Sequence, residues 1–380
     1  MKSLETPLTE RRRKTRNRIY RFIYNSDEPV SKQAIAMSLN FSLPTIHQNV
    51  SELLEAGLIK PVETQISTGG RPPVGYLVEN DVRFSIGVSI TTNHIRLLAS
   101  DLKLNQLAEK SVRKEGGISA DLGDDVKKEL DLFIEEHNLQ KDRILGVGIT
   151  IPGVLDIPGD AVLLSPSMRL KNISLKSLRE SVAPYPVYIE NDGNCAGYAE
   201  YLAMNPKERK KDFAYILLEN GVGGTFFING KTCYGSNHRS GEFGHMCVQP
   251  DGLLCNCGKK GCLEAYCSAM RFSMDKDLSI EEFFELLHKG DPKAKEIWDD
   301  VLRHLAIGIN NIRMVFDGDV LLGGFVSEYL EEYLPELRKY VSEINPFGDS
   351  ADFVKLGKFP RRAGMMGIAW HFANDYIETI

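Results

Sequence analysis

The sequence is short of three things. Cysteine is scarce and odd in number, seven among 380 residues, and tryptophan occurs twice. No uninterrupted apolar run approaches the ~20 residues that a membrane-spanning helix needs. The cysteine count excludes a disulfide-stapled miniprotein, and five of the seven fall between Cys247 and Cys267, which reads as a local site of thiols or thiolates. The longest apolar stretch, around Ile144–Leu155, is broken by glycine and proline, and the start of the chain has no apolar core of the secretory kind. These absences predict a soluble, cytoplasmic protein with no membrane partner. No low-complexity tract or fixed-period repeat is visible either. What the chain does have is 42% hydrophobic residues, enough for real cores in roughly two to three domains of ~150 residues.

Charge of one sign is also lacking. The total of 46 Lys+Arg against 52 Asp+Glu leaves a net −6, which by itself argues mildly against a nucleic-acid partner. The average hides an asymmetry, because residues 1–80 carry 11 basic and 8 acidic side chains while the remainder carries 35 and 44. The excess is concentrated in Arg11–Arg21, with seven positive charges and no acid.

The pattern around that run predicts a DNA-binding module. Ile19, Tyr20, Phe22 and Ile23 cluster on one side of a helix that ends before Asn25–Pro29. A second helix starts at Ser31 as N-cap and buries Ile35 and Leu39. In a third, Ser42 is the N-cap, Pro44 sits in the first turn, and Ile46, Val50, Leu53 and Leu54 form the apolar stripe before Gly57. That stripe leaves Ser42, Thr45, His47, Gln48 and Asn49 to meet base edges in a major groove. Two strands follow, Leu58–Glu63 and Val74–Val78, joined by a loop in which Gly69 and Gly70 precede Arg71. A guanidinium on such a loop can enter an A·T-rich minor groove, so residues 1–80 are expected to form a winged helix-turn-helix with operator DNA as partner.

From Phe84 onward strands and helices alternate, which predicts an α/β fold. The expected strands are Phe84–Ser89, Arg96–Ser100, Ile144–Ile151, Val187–Ile189, Phe213–Leu218 and Gly224–Ile228. The expected helices are Asp125–His137, Gly193–Ala203, Ile280–His288 and Ala294–Val315. His245, Cys255, Cys257 and Cys262 place one imidazole and three sulfurs within eighteen residues, the donor set of a closed tetrahedral Cys₃His site for structural Zn²⁺. Cys247 and Cys267 stand outside it and are expected to be buried. Asp192, after a strand and at a helix start, could accept a sugar hydroxyl or take its proton. The turn Asn220–Thr225 could cradle a phosphate, though such glycine turns commonly just close a hairpin.

Together these residues resemble the ROK family of repressors, open reading frames and kinases, over essentially the whole chain. The resemblance is carried by the Ser67–Pro72 loop, Ile151–Asp156, Glu190-Asn191-Asp192, the Gly241–His245 and Cys255–Glu264 motifs, and Leu321–Ser327. It implies a winged helix-turn-helix over 1–80 and a two-lobed actin-like ATPase fold over 81–380. Lobe one would comprise about 81–197 plus a helix near 358–380, and lobe two about 198–357. Carried over residue by residue, it places Gly153, Ser167, Asn191, Asp192, Glu242, His245 and Glu264 in a sugar cleft, with His245 using one ring nitrogen for zinc and the other for a hydroxyl. Ser167 departs from the family's usual Pro-Asn pair at Pro166-Ser167.

The nucleotide side departs further. The family's kinases carry Asp-x-Gly-Gly-Thr where this chain has Ser89-Ile90-Thr91-Thr92-Asn93, and Gly-Thr-Gly where it has Glu219-Asn220-Gly221. β-Branched residues resist the tight phosphate turn, and a carboxylate facing a triphosphate repels it. The expectation is a homodimeric or homotetrameric regulator released by a sugar or sugar phosphate. The competing expectation is a hexose kinase with Asp192 as base and an appended DNA-binding module.

Overall fold

A computed structural model describes residues 7–63, 74–114, 122–156, 160–205, 207–272, 278–348 and 350–380. The loop between the first two of these segments, with Arg71, lies outside the described residues.

The amino-terminal unit contains α1 (Pro7–Tyr24), β1 (Val30–Ser31), α2 (Lys32–Leu39), α3 (Leu43–Glu55), β2 (Ile59–Glu63) and β3 (Val74–Val78). Both expected N-caps form: the Ser31 hydroxyl accepts from Ala34 N and the Ser42 hydroxyl from Thr45 N. β3 pairs antiparallel with β2 on one side and β1 on the other. Ile19, Tyr20, Ile23, Ile35, Ile46, Val50 and Leu53 are fully buried in this unit, each worth roughly 1.5–3 kcal/mol of transfer free energy for the aliphatic side chains. Its core does not stop at Val78, because Leu102, Trp370, Ala373, Ile377 and Ile380 complete it.

Lobe one is built on β4 (Phe84–Ile90), β5 (His94–Asp101), β6 (Gln106–Arg113), β7 (Ile144–Ile151) and β11 (Val187–Asn191), in the order β11-β7-β4-β5-β6. α4 (Leu122–Glu136) and α5 (Lys176–Ser181) flank it, and β8 (Val154–Asp156), β9 (Ala161–Ser165) and β10 (Leu170–Ser174) make a small separate sheet. β7 has parallel neighbours on both sides, which explains why Ile144–Ile151 reads as a nearly continuous apolar run. After β11 comes α6 (Asp192–Ala203).

Lobe two is built on β12 (Phe213–Leu218), β13 (Val222–Ile228), β14 (Lys231–Thr232), β15 (Asp319–Gly323) and β16 (Val354–Leu356). Around this sheet stand α7 (Leu263–Cys267), α8 (Ile280–His288), α9 (Pro292–Val315) and α10 (Leu334–Ile344). Its sheet repeats the first. In each lobe the first three strands form antiparallel pairs, the fourth lies parallel against the first, and the fifth parallel against the fourth. The chain is thus a duplication at the level of topology that no sequence period announces.

The last helix, α11 (Ala363–Thr379), packs on β4, β7 and above all α6. The two helices cross so closely that a Cβ at Gly367 would stand 1.9 Å from Cys195 O, so only glycine fits. With Ala196, Ala199, Met365 and Met366, they fill the space against Phe213, Tyr215 and Phe227 of lobe two. A lobe boundary at 197/198 would cut α6, which continues to Ala203. No helix among the described residues is long and apolar enough to cross a membrane.

Candidate functional site

A cleft enclosing roughly 1000 Å³, its solvent-open mouth included, lies between the two sheets where β11 meets α6 and β12 turns into β13. All seven residues expected to meet a sugar line it: Gly153, Ser167, Asn191, Asp192, Glu242, His245 and Glu264. Local hydrogen bonding fixes them. Asn191 caps α6 by accepting from Asn194 N (3.0 Å), while its own amide donates to Gly153 O (2.9 Å). Asp192 Oδ1 accepts from Gly193 N (2.9 Å). Glu264 Oε2 accepts from Val222 N at 3.0 Å, tying the start of α7 to the β12–β13 turn. That turn, Glu219–Gly221, closes an antiparallel hairpin. Asn220–Thr225 thus spans the turn and the first strand residues of a hairpin.

Burial decides the electrostatics. Loss of solvent, with Glu242 adding a smaller repulsion, pushes Asp192 up to about 6, against the stabilising bond from Gly193 N. Desolvation, and then the charge of Asp192, pushes Glu219 up to about 7. Glu242 is raised in the same way. Paired carboxylates of this kind are frequent at functional sites.

Glu190, in the Glu190-Asn191-Asp192 motif, holds the two lobes together. It is buried and accepts from Tyr188 Oη (3.2 Å), Tyr234 Oη (3.0 Å), Asn191 N (2.8 Å) and Asn194 Nδ2 (3.2 Å). Because Tyr234 belongs to lobe two, this carboxylate bridges the lobes. Tyr234 comes from a stretch with no motif that could single it out, and so do His238 and Ser240, which line the cleft. Thr92 was read only as a lost glycine. It donates to Ser167 O at 2.9 Å, so the β4–β5 turn is pinned to the mouth.

Beside the cleft, His245, Cys255, Cys257 and Cys262 present donor atoms that all lie within 4.8 Å of one another. A tetrahedral ion with bonds of about 2.3 Å to sulfur and 2.0 Å to nitrogen requires S–S edges near 3.8 Å and S–N edges near 3.5 Å. Cys257 Sγ–Cys262 Sγ is 3.7 Å and Cys255 Sγ–His245 Nδ1 is 3.9 Å. The set therefore fits a metal ion. Burial pushes the Cys255 and Cys262 thiols up, outweighing the hydrogen bonds that favour their charged forms, and a bound cation would reverse that balance. The loop can fold this tightly because Gly261 has φ +81°, and a Cβ there would strike Gln249 O at 1.9 Å. With Nδ1 turned to the sulfurs, Nε2 of His245 faces the cleft, 3.9 Å from Glu242 Oε2. Cys267 is buried as expected. Cys247, expected to be buried, is exposed, although its main chain bridges to Cys262.

The expected DNA face is only partly available. Ser42, His47 and Gln48 are exposed and Thr45 is half-buried, with the Ser42 and Thr45 hydroxyls 2.8 Å apart. Asn49 is not free: it is 8% exposed and its amide donates to Thr45 O at 2.8 Å. The reason is helical phase, since Asn49 lies three residues after Ile46 and four before Leu53, on the buried side. The basic run also divides. Arg11, Arg12, Lys14 and Arg18 are exposed, while Arg13, Arg16 and Arg21 turn to the end of α11.

The fold and cleft together define a two-lobed α/β body joined to a small amino-terminal unit of three helices and three strands. The model of the ROK family matches residues 85–375, and the chain belongs to that family. It is 25% identical to a xylose repressor of Bacillus spizizenii over 93% of this chain and 94% of that one. It is 24% identical to the DNA-binding transcriptional dual regulator NagC of Escherichia coli, over 85% and 83%. Among solved structures, a ROK family transcriptional regulator, described as a homologue of the E. coli MLC protein, matches with TM-score 0.74 and 21% identity over 97% of both chains. A ROK glucokinase from Streptomyces griseus, solved with glucose and AMPPNP, matches with TM-score 0.64 and 24% identity over 75% of this chain and 98% of that one.

Proposed function

We propose that this protein is a sugar-responsive transcriptional repressor that binds operator DNA and has no kinase activity. The carrying observation is the cleft itself: it keeps the hydroxyl-accepting groups Asn191, Asp192, Glu242 and Glu264 but sets Glu219 in the β12–β13 turn. A carboxylate there opposes a triphosphate, and the β4–β5 turn offers threonines in place of glycines. The reading is supported by relatives named xylose repressor that align over 93% and 92% of this chain, a coverage that cannot be reached without the amino-terminal unit.

In this reading α1, α2, α3 and the β2–β3 hairpin are a winged helix-turn-helix. Ser42, Thr45, His47 and Gln48 read the major groove, and Arg71 on the wing enters the minor groove. Arg11, Arg12, Lys14 and Arg18, exposed on α1, meet phosphates. The protein is a cytoplasmic dimer or higher oligomer whose paired DNA units match operator half-sites. A sugar or sugar phosphate in the cleft shifts their placement. His245, Cys255, Cys257 and Cys262 hold a structural Zn²⁺ that fixes the imidazole whose Nε2 reads the ligand.

The alternative is a hexose kinase, favoured by the retention of Asp192, whose raised pKa suits a general base. An ATP-coupled turnover assay across hexoses and amino sugars separates the two. The expected result is no sugar-dependent ATP consumption, with sugar-sensitive binding to duplexes selected from a random pool. Clear ATP-dependent phosphorylation overturns the repressor-without-kinase reading.

A further inference from the structure

Within the cleft, the balance of charge and of hydrogen-bond donors bears on what kind of sugar can bind, which rests on the sugar-responsive reading above. Five carboxylates line it, Glu190, Asp192, Glu219, Glu242 and Glu264, and among the described residues no lysine or arginine does. Guanidiniums act on these carboxylates only from outside the lining: Arg96 and Arg361 on Glu219, with Arg361 already bonded to Glu328 at 2.6 Å, and the exposed Arg239 on Glu242.

Main-chain amides do not make up the deficit. A helix start and a glycine turn are natural anion sites, and the cleft has one of each at α6 and at the β12–β13 turn. Here the protein's own side chains already hold four of these amides. Asn191 N donates to Glu190 Oε1 (2.8 Å), Gly193 N to Asp192 Oδ1 (2.9 Å), Asn194 N to Asn191 Oδ1 (3.0 Å) and Val222 N to Glu264 Oε2 (3.0 Å). A phosphate entering this space would lose its hydration and find acceptors where it needs donors.

The carboxylates differ in what they still offer. Glu190 is saturated by four donors, and Asp192 and Glu264 each already hold a main-chain amide. Glu219 carries no side-chain hydrogen bond or ion pair among the described residues, while its main chain is held rigid by Gly221 O (2.9 Å) and Ala269 N (2.7 Å). An acceptor fixed in place and left open suits a ligand rich in hydroxyl or ammonium donors.

We infer that the cleft takes an uncharged or ammonium-bearing monosaccharide and rejects its phosphate ester, with Glu219 as the residue that sets this selectivity. Titration calorimetry on the full chain at about pH 8, where both Asp192 and Glu219 are ionised, tests it, using D-xylose, D-glucose, N-acetylglucosamine and glucosamine, and the 6-phosphates of the last three. At least one unphosphorylated sugar is expected to bind, with its ester weaker by about 100-fold or more, as desolvating a dianion beside fixed carboxylates demands. Glu219→Gln keeps the shape, removes the charge, and is expected to narrow that ratio by about 10-fold. An ester that binds as tightly as its parent sugar, or a ratio unchanged in Glu219→Gln, overturns the inference. Silence toward every member of the panel is a different failure: it removes the sugar reading itself, and this inference with it.

Discussion

The end of α11 against α1 offers the sharpest test of how the DNA unit is attached. A helix leaves its last carbonyls unpaired and carries partial negative charge there. α1 answers with Arg13 Nη1 on Glu378 O (2.8 Å), Arg16 Nε on Ile380 O (2.8 Å) and Asn17 on Ile377 O, while Arg21 pairs with the Glu378 side chain. Arg16 also reaches Glu52 of α3 at 3.2 Å, with both side chains about one-third exposed. Arg16→Ala removes one charge-assisted bond to a helix end, about 1–2 kcal/mol, and a screened ion pair that adds between zero and about 1 kcal/mol. Arg12→Ala, on the exposed side of the same helix, should stay within about 0.5 kcal/mol. Hydrogen exchange on the full chain reads the difference locally. Amides in the last turn of α11 should lose roughly 10- to 30-fold of protection in Arg16→Ala, since each 1.4 kcal/mol is a factor of ten, while those of β12 and β15 keep theirs. Equal behaviour of the two variants, or a loss spread evenly over the molecule, would show that the guanidinium does not pin α11.

Three further outcomes are expected. With zinc held as proposed, Cys257→Ser should release it and loosen the Cys255–Cys262 loop; elemental analysis finding one tightly held zinc per chain in the variant would remove Cys257 from the ligand set. With folded values near 6 for Asp192 and 7 for Glu219, against usual values of 3.8 and 4.5, the folded state holds more protons than the unfolded state between about pH 4 and pH 7. Their contribution to stability therefore declines as pH rises through that window. The melting temperature of the ligand-free Asp192→Asn/Glu219→Gln variant should gain on the wild type from pH 5 to pH 7.5, and parallel curves would contradict the assigned burial. Asn49→Ala should lower stability by about 1 kcal/mol in urea unfolding through its lost bond to Thr45 O, whereas Gln48→Ala should leave stability within about 0.5 kcal/mol.

Legibility in the sequence followed burial. β7, β12 and α8 fall on the expected residues, because each is a run whose apolar pattern is set by one packed environment. β6 was not anticipated: it is an edge strand, mostly exposed, with no alternation strong enough to register. α10 was missed as well, and the duplication of the two sheets is invisible because topology repeats while residues do not. At the site, the cysteine loop stood out by its spacing and brings four donor atoms within 4.8 Å of one another, whereas Asn191 in the Asn191-Asp192 pair also serves as the cap of α6, a role that any helix start can call for. Asn49 was misread because a polar residue was assumed to face outward, although its spacing from Ile46 and Leu53 puts it on the packed face. The basic run could not be divided from sequence, because a guanidinium serves a phosphate and a helix-terminal carbonyl equally well.

That division bears on how a cleft can reach DNA. α11 begins beside Asp192 and Thr150, where Gly364 lies against both, and crosses α6 at Gly367 without room for a side chain. Farther along, His371 stacks on Tyr188 at 3.9 Å, and the Tyr188 hydroxyl donates to Glu190, the same carboxylate that receives Tyr234 from lobe two. Its final turn is held by α1. One rigid helix therefore touches the start of α6, the carboxylate that joins the lobes, and the unit that would sit on DNA. A ligand that draws Glu190 or the α6 start to a new position cannot do so without displacing α11, since the crossing at Gly367 leaves no slack. Displacement at that crossing is carried to the Arg13, Arg16 and Asn17 contacts. Because only a difference in affinity between two arrangements can move such an equilibrium, bound DNA must weaken the ligand by the same factor that the ligand weakens DNA.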